Sequence, residues 1–226
     1  MSSRPKAIAI VSGGLDSVTL AHLLHAQGYQ LHILSFDYGQ RHRKELLFAE
    51  RCARRLEAAF SLLDLRQLGQ HFKGSALTDE SVAVPDGHYA AANMAITVVP
   101  NRNAIMLAIA YGIAVAEEAE VVAFAAHAGD HFIYPDCRPA FIEAFGAMER
   151  LAVEGHGHPR LHLEAPFAHL KKEQIVSLGA ALGVPFAETW SCYKGGEKHC
   201  GTCGTCHERK EAFQLAGVPD PTEYLQ

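Results

Sequence analysis

Short apolar runs alternate with longer segments whose apolar residues recur at helical spacing along most of the chain. The short runs predict strands at residues 8–11, 31–36, 59–65, 120–126 and 161–166. The longer segments predict helices at residues 18–27, 43–57, 104–118, 139–151 and 171–182. Repeated alternation of strand and helix is typical of a parallel sheet with its connections on both sides. The pattern therefore predicts an α/β fold with an open parallel sheet and helices on both faces.

One long segment interrupts this alternation. Residues 67–100 have no clear periodicity and contain several turn-forming glycines and prolines. Loops of this length are uncommon as plain connections, so we expect a functional lid or binding loop there. The helix predicted at 104–118 follows it and is apolar on most of its faces, which indicates a buried position.

The first predicted strand runs directly into a glycine pair, Gly13 and Gly14, and then into a helical pattern. Glycines allow backbone angles closed to other residues and let a ligand approach the main chain. The free N–H groups and the positive dipole end of the following helix favour an anion. The predicted anion-binding residues are Val11, Ser12, Gly13, Gly14, Leu15, Asp16, Ser17 and Val18.

The glycine turn lacks the lysine of the G-x-x-x-x-G-K-[ST] loop that serves γ-phosphoryl transfer. Its SGGLDS sequence instead resembles the PP-loop of ATP pyrophosphatases, in which a substrate oxygen attacks the α-phosphate of ATP. An ordinary Gly-Gly turn is the alternative. We expect Asp16 and Ser17 to take part in catalysis, with Asp16 acting through Mg²⁺ or fixing the loop, because a bare carboxylate would repel phosphates.

Composition and charge narrow the functional classes. The chain has 226 residues, of which 49% are hydrophobic, and a net charge of −5 at pH 7. A large nucleic-acid-binding surface would need an excess of lysine and arginine on one face. No signal-peptide pattern is visible at the start, and the longest apolar stretch, at 105–116, is too short to cross a bilayer. We therefore expect a cytoplasmic protein that binds neither membrane nor stable nucleic acid.

Four of the six cysteines lie close together near the end of the sequence, in the spacing C-x7-C-x2-C-x2-C. They are Cys192, Cys200, Cys203 and Cys206. Four thiolates suit tetrahedral Zn²⁺ and leave no open position for catalysis, so we predict a structural zinc site. A C-x-x-C redox pair or an iron–sulfur cluster are the alternatives. We expect residues 1–186 to form a nucleotide-binding domain and residues 187–226 to form a zinc-binding lobe packed on it.

The PP-loop and four later motifs together resemble the 7-cyano-7-deazaguanine synthase family. The later motifs are FDYGQRH at 36–42, VPNRN at 99–103, YPDCR at 134–138, and WSCY at 190–193 with the cysteines that follow. The resemblance implies that ATP activates the carboxylate of 7-carboxy-7-deazaguanine and that ammonia converts it to an amide. A second activation then dehydrates the amide to the nitrile used for queuosine. It further implies one zinc ion per chain and a homodimer.

The resemblance also implies which residues bind the substrate. They are Gln40, Arg102, Asn103, Asp130, Tyr134, Asp136 and Arg138. Arg102 and Asp136 are expected to be catalytic as well. Asp130 or Asp136 could bind the guanidine-like edge of the base or a metal ion, and a structural hydrogen bond or salt bridge is the alternative for each. The FAAHAGDH segment at 124–131 departs from many relatives, which leaves open an enzyme that uses another amine or stops at the amide.

Other functional classes stay open. A PP-loop tRNA thiolase would need a persulfide-bearing cysteine, for which Cys137 is the candidate, and a basic RNA surface that the acidic balance disfavours. A zinc-knuckle RNA-binding module is disfavoured by the intact PP-loop. A glutamine-dependent amidase would need a glutaminase domain, which the sequence lacks, so ammonia would come from solution or another chain. His127 and His131 lie nearest the predicted site among the candidate bases.

Overall fold

A five-stranded parallel sheet forms the centre of the fold in the computed structural model, which describes residues 4–225. The strands are β1 (Lys6–Ile10), β2 (Gln30–Asp37), β3 (Ala59–Asp64), β4 (Val121–Ala123) and β5 (His162–Glu164). Their order is β3-β2-β1-β4-β5, and every neighbouring pair is parallel. The chain first adds β2 and β3 on one side of β1 and then crosses over to add β4 and β5 on the other side. The order of the strands therefore reverses beside β1. In open α/β sheets, ligands bind at the carboxyl ends of the strands beside such a reversal.

Helices cover both faces of the sheet, as the sequence predicts. They are α1 (Leu15–Ala26), α2 (Glu45–Arg55), α3 (Arg66–Gly69), α4 (Ala91–Met94), α5 (Arg102–Ala116), α6 (Pro139–Ala152), α7 (Lys172–Ala181) and α8 (Gly204–Ala216). Successive strand residues point to opposite faces, so Ala7 and Ala9 of β1 pack with α1, α2, α7 and α8. Ile8 packs in a second cluster with α5 and α6. None of the helices within residues 4–225 is long and apolar enough to cross a membrane.

Several predicted boundaries differ from the structure. Strand β4 ends at Ala123 rather than at residue 126, and β5 has three residues rather than the predicted six. Phe124 and Ala126 are buried, which explains why the apolar run continues beyond the strand. Helix α1 begins at Leu15, three residues earlier than predicted, because Asp16 and Ser17 belong to its first turn. The apolar pattern reports burial and does not report where the ladder of hydrogen bonds ends.

The segment at 67–100 has more local structure than the sequence predicts, since it contains α4 and a 3₁₀ turn at Ala95–Thr97. It lies against the cysteine-containing segment. Asp86 pairs with Cys203 in an antiparallel bridge, and the Gly87 N–H donates to the Thr202 carbonyl at 2.9 Å. These bonds fasten the middle of the long segment to the C-terminal part of the chain.

Helix α8 is not among the predicted helices. The fully buried Arg209 lies on the face of α8 that packs against the protein, where it donates to Thr189 Oγ1 at 2.7 Å and pairs with Asp220 at 3.2 Å. One turn later, Phe213 meets the ring of Phe186 edge-on, with ring centroids 4.9 Å apart. A buried arginine interrupts the apolar spacing on which the helix predictions rest, which is why α8 escaped them.

Candidate active site

A cavity of about 220 Å³ lies at the carboxyl ends of β1, β2 and β4. Six residues of the predicted anion-binding turn line it, namely Val11, Ser12, Gly14, Leu15, Asp16 and Ser17. No side chain caps the N-terminus of α1, so the N–H groups of its first turn are available to an anion. The Ser17 hydroxyl donates to the Gly14 carbonyl at 3.1 Å and lies 3.3 Å from Ser12 Oγ, which orders the turn.

The other two residues of the predicted turn do not line the cavity. Gly13 has φ +94°, and a Cβ atom there would lie 2.1 Å from the Glu45 carbonyl oxygen, so only glycine fits. The Gly13 carbonyl accepts from the Trp190 N–H at 2.9 Å. Val18 is buried in the cluster formed by α1 and the sheet. Gly13 therefore supports the turn from behind, and Val18 holds α1 against the sheet.

Asp16 belongs to a cluster of charged groups beside the anion-binding turn. Lys172 Nζ lies 2.5 Å from Asp16 Oδ2 and 3.3 Å from Glu208 Oε2. His127 Nε2 lies 3.9 Å from each of the two carboxylates. Burial raises the pKa of Asp16, but the positive charge of Lys172 and the contact with His127 together lower it by more. The pKa of Asp16 is therefore below its usual value. Burial raises the pKa of Glu208.

Lys172 and Glu208 line the cavity but are not among the residues predicted from the sequence. Lys172 lies in the first turn of α7, where the helix dipole disfavours a cation. A lysine in that position indicates that a nearby anion offsets the unfavourable interaction with the helix dipole. The signal is weak, and it does not identify Asp16 or Glu208 as the partner.

We expect the Lys172→Met variant to be less stable than the wild-type protein by about 3–5 kcal/mol near neutral pH, because it leaves the Asp16 and Glu208 carboxylates without their cation. Chemical unfolding measures this difference. Lys171→Met is the matched control, since Lys171 is the neighbouring residue and is exposed. We expect the control to stay within about 0.5 kcal/mol of the wild-type value.

The stability difference between Lys172→Met and the wild-type protein should depend on pH in a definite direction. In the wild-type protein Lys172 holds the pKa of Asp16 low, so the pair stabilises the fold at neutral pH and this contribution is lost as pH falls through the folded-state pKa. Burial is the largest influence on the pKa of Asp16, so we expect that pKa to rise when Lys172 is removed. The variant should therefore recover stability relative to the wild-type protein as the pH falls from about 7 to about 4. If stability varied with pH in the same way in Lys172→Met and in the wild-type protein, the charge pair of Lys172 and Asp16 would be contradicted.

Arg102 and aromatic side chains form a second part of the cavity wall. The Arg102 guanidinium donates to the Tyr38 hydroxyl at 3.1 Å and lies 5.8 Å from the centre of that ring. No carboxylate of residues 4–225 lies within ion-pair distance of Arg102. Its charge is therefore available to an anionic ligand. Asn103 and Tyr134 also line the cavity, where Asn103 Nδ2 donates to Cys137 Sγ at 3.2 Å.

The remaining predicted substrate residues occupy different positions. Asp130 lines the cavity and accepts from the Tyr89 hydroxyl at 3.1 Å. Asp136 accepts from the Asn103 N–H at 2.9 Å, at the start of α5 and outside the cavity lining. Arg138 is exposed and donates to the His131 carbonyl at 2.9 Å, with no ion pair to Asp136 in the described part of the chain. The substrate-binding roles of these residues stay predictions.

Gln40 lies behind the cavity wall. It is buried, and its amide nitrogen donates to Glu45 Oε1 at 3.1 Å and to the Phe36 carbonyl at 3.0 Å. Its amide oxygen accepts from the Tyr38 N–H at 2.9 Å. With both ends of its amide engaged, Gln40 orients Glu45, and its predicted role in binding substrate is untested.

The four cysteines of the predicted zinc site converge. Their Sγ atoms all lie within 4.8 Å of one another. The Cys200 N–H donates to Cys192 Sγ at 3.4 Å, and the Cys203 N–H donates to Cys200 Sγ at 3.3 Å. Such N–H···S bonds favour the thiolate form that binds metal ions. Gly201 has φ +80°, which permits the tight turn between Cys200 and Cys203. The donor set fits one tetrahedral metal ion.

The cysteine cluster is joined directly to the cavity wall. The Trp190 indole N–H donates to the Cys192 carbonyl at 2.8 Å, and the Trp190 backbone contacts Gly13 as described above. Trp190, Ser191 and Tyr193 line the cavity. A metal ion held by the cysteines would therefore order residues that touch both the anion-binding turn and the ligand space.

Comparisons with known proteins place the chain in a family. The family model of queuosine biosynthesis protein QueC matches residues 6–217. The 7-cyano-7-deazaguanine synthase of Rhizobium meliloti (strain 1021) is 63% identical over 219 residues, which cover 97% of this chain and 92% of the relative. The 7-cyano-7-deazaguanine synthase of Ruegeria pomeroyi is 62% identical, with coverage of 97% and 94%.

The fold is also similar to a solved structure. The structure of an NMN synthetase from Francisella tularensis matches with a TM-score of 0.53 and 16% sequence identity. The match covers 96% of this chain and 79% of the synthetase chain. At this identity the likeness supports the α/β fold alone. The match of the family model over residues 6–217 and the high identity of full-length relatives lead to one conclusion: the chain belongs to the enzyme family of queuosine biosynthesis protein QueC, the 7-cyano-7-deazaguanine synthases.

Proposed function

We propose that the protein converts 7-carboxy-7-deazaguanine and ammonia to 7-cyano-7-deazaguanine at the expense of ATP. The observation that carries the proposal is one cavity lined both by an uncapped helix N-terminus after the glycine turn and by Arg102, whose charge has no carboxylate partner among residues 4–225. The first feature suits the phosphates of ATP, and the second suits a carboxylate or a developing phosphate charge. The printed names of the relatives support the same substrate.

The chemistry needs activation because a carboxylate is a poor electrophile. A carboxylate oxygen of the substrate attacks the α-phosphorus of ATP, the bond to the β-phosphate oxygen breaks, and pyrophosphate leaves. Ammonia displaces AMP from the resulting mixed anhydride to form the amide. In a second round the amide oxygen attacks the α-phosphorus of another ATP and pyrophosphate leaves again. Loss of AMP and of the two nitrogen-bound protons then gives the nitrile. Binding both reactants in one cavity supplies proximity, and the N–H groups of α1 stabilise phosphate charge.

Two metal ions belong to this proposal. Mg²⁺ would neutralise charge on the phosphates, and Asp16 fits it because Oδ1 is buried without a hydrogen-bond partner among the described residues. The Asp16 Oδ2 atom is held by Lys172. Zn²⁺ would be held by Cys192, Cys200, Cys203 and Cys206 and would have a structural role, because four protein ligands leave no open position.

The remaining parts of the proposal concern organisation. A separate buried cluster around Trp190, Cys192, Cys203 and Cys206 supports a zinc-binding lobe at 187–226 packed on a nucleotide-binding domain at 1–186. We expect a homodimer in the cytoplasm with small-molecule substrates only. The net charge of −5 supports the absence of a stable nucleic-acid partner.

A tRNA thiolase is the less favoured alternative. It would need a reactive sulfur, and Cys137 is the cysteine that lines the cavity. Burial raises the pKa of the Cys137 thiol, which keeps it in the less reactive protonated form. An enzyme that stops at the amide is the stronger alternative, because Ala125, Ala126 and His127 of the divergent 124–131 segment line the cavity.

The direct test incubates the purified protein with ATP, Mg²⁺, ammonium and 7-carboxy-7-deazaguanine and identifies the base by mass spectrometry. We expect the nitrile. Accumulation of the amide alone would replace the proposal with an amide-forming enzyme. An unchanged base, with ATP consumed when another carboxylate is supplied, would keep the activation chemistry and reject the substrate.

A further inference from the structure

Two polar side chains of the cavity wall, His42 and Glu45, have no role in the chemistry described above. They lie one turn apart where the chain enters α2, and the Glu45 N–H donates to the His42 carbonyl at 3.0 Å. Both side chains line the cavity although both are almost fully buried, with His42 3% and Glu45 7% exposed. Buried polar groups beside an open cavity are candidates for ligand recognition.

His42 has a ring nitrogen that none of the described residues uses as an acceptor. Its Nε2 atom lies 3.4 Å from Glu45 Oε1, whereas Nδ1 is buried without a hydrogen-bond partner among residues 4–225. Burial lowers the pKa of His42 to about 3, so the ring is neutral. With its proton on Nε2, directed at Glu45, the ring presents Nδ1 as an acceptor. A ligand that donates an N–H would satisfy it.

Glu45 carries a buried carboxyl group. Its Oε1 atom accepts from Gln40 Nε2, and no lysine or arginine of the described residues lies within ion-pair distance. Burial raises the pKa of Glu45 to about 8. Such a group is stabilised when a ligand supplies N–H donors to it. Gln40 fixes the orientation of the carboxyl group and so acts as its positioning residue.

We propose that His42 and Glu45 form the subsite that binds the donor edge of a 2-aminopyrimidinone ring, meaning the ring N–H and the adjacent exocyclic amino group. This inference rests on the proposed function, since 7-carboxy-7-deazaguanine carries that edge. Bound N–H donors favour the ionised form of Glu45, and that carboxylate pairs with two neighbouring N–H donors in parallel. The acceptor on His42 can take a further N–H.

The position of the subsite suits this role. Ser12 and Gly14 of the glycine turn line the same cavity as His42 and Glu45, so the base would share that cavity with the turn that is proposed to hold ATP. Arg102 lines the same cavity and can hold the carboxylate of the base. The acids considered from sequence are less suitable, because Asp130 already bonds Tyr89 and Asp136 caps the start of α5 outside the cavity lining.

The experiment compares binding of 7-carboxy-7-deazaguanine with binding of its analogue that lacks the 2-amino group, using calorimetry without ATP. We expect the wild-type protein to prefer the amino compound by about 100-fold, because the analogue leaves buried acceptors unpaired. In Glu45→Gln the preference should fall below about 5-fold, since an amide presents one acceptor in place of two. Glu50→Gln, on an exposed part of α2, is the matched control and should keep the full preference.

His42→Phe is the second variant, because it keeps the ring that packs near Tyr193 and removes the acceptor nitrogen. We expect it to weaken binding of the amino compound about 10-fold and to leave the KM for ATP within about 2-fold. If Glu45→Gln does not show a cooperative unfolding transition, His42→Phe decides the question.

Four outcomes are informative. Retained preference for the amino compound in both folded variants would overturn the inference, and so would a raised KM for ATP with unchanged binding of the base, which would assign the subsite to adenine. A wild-type protein that binds neither base would reject the proposed function itself. Loss of preference in the variants, with the wild-type protein making the nitrile, supports both.

Discussion

The Asp16→Ala variant is expected to lose nitrile formation by about 1,000-fold or more, which is the largest effect we expect from one substitution in the cavity. Asp16 is the only acidic residue within the glycine turn, and its carboxylate fixes the Lys172 ammonium 2.5 Å away. Without it, Lys172 keeps Glu208 as its remaining carboxylate contact. The measurement is the rate of nitrile production by mass spectrometry at saturating ATP and base.

Two comparisons separate the chemical role of Asp16 from a structural one. The double variant Asp16→Ala/Lys172→Met removes both charges, and we expect it to be more stable than Asp16→Ala alone and to be equally inactive. Asp64→Ala is the matched control, because Asp64 is exposed and pairs with Arg66. An Asp16→Ala protein that keeps more than about one tenth of wild-type activity would contradict a role for Asp16 in the reaction.

The order of strands and helices was predictable because each element is governed by local rules. Strands buried on both faces give continuous apolar runs, and helices packed on a sheet give a spacing of three to four residues. Helix α8 was not predictable in this way. Arg209 lies on its buried face and is satisfied by Thr189, Phe186 and Asp220, which lie 20, 23 and 11 residues away from it in the sequence.

The candidate site residues likewise fall into those that were predictable from sequence and those that were not. The glycine turn and the cysteine cluster were predicted because their residues are close in sequence and their chemistry fixes the spacing. Lys172 was missed because its contact with Asp16 spans 156 residues. Glu45 was missed for a related reason, since the amphipathic pattern of α2 does not reveal that its first residue turns toward the cavity. Long-range pairs of charged groups leave no periodic trace in a sequence.

The Cys203→Ser variant is expected to lose its metal and to unfold at a temperature lower by roughly 10 °C. A serine hydroxyl is a much poorer zinc ligand than a thiolate, and the other three cysteines cannot complete a tetrahedral site. Cys203 also pairs with Asp86 of the long 67–100 segment, so metal loss should loosen that segment. Metal content by mass spectrometry and a thermal unfolding curve are the measurements.

The effect should extend to catalysis because the loosened segment carries Tyr89, which lines the cavity and bonds Asp130. Zinc added after chelation should restore activity to the wild-type protein and not to Cys203→Ser. Cys52→Ser is the matched control, since Cys52 is buried in the core under α2 and should not change the metal content. A metal-free Cys203→Ser protein with wild-type stability and activity would contradict a structural metal. Iron with inorganic sulfide in the wild-type protein would instead support an iron–sulfur cluster at these four thiolates.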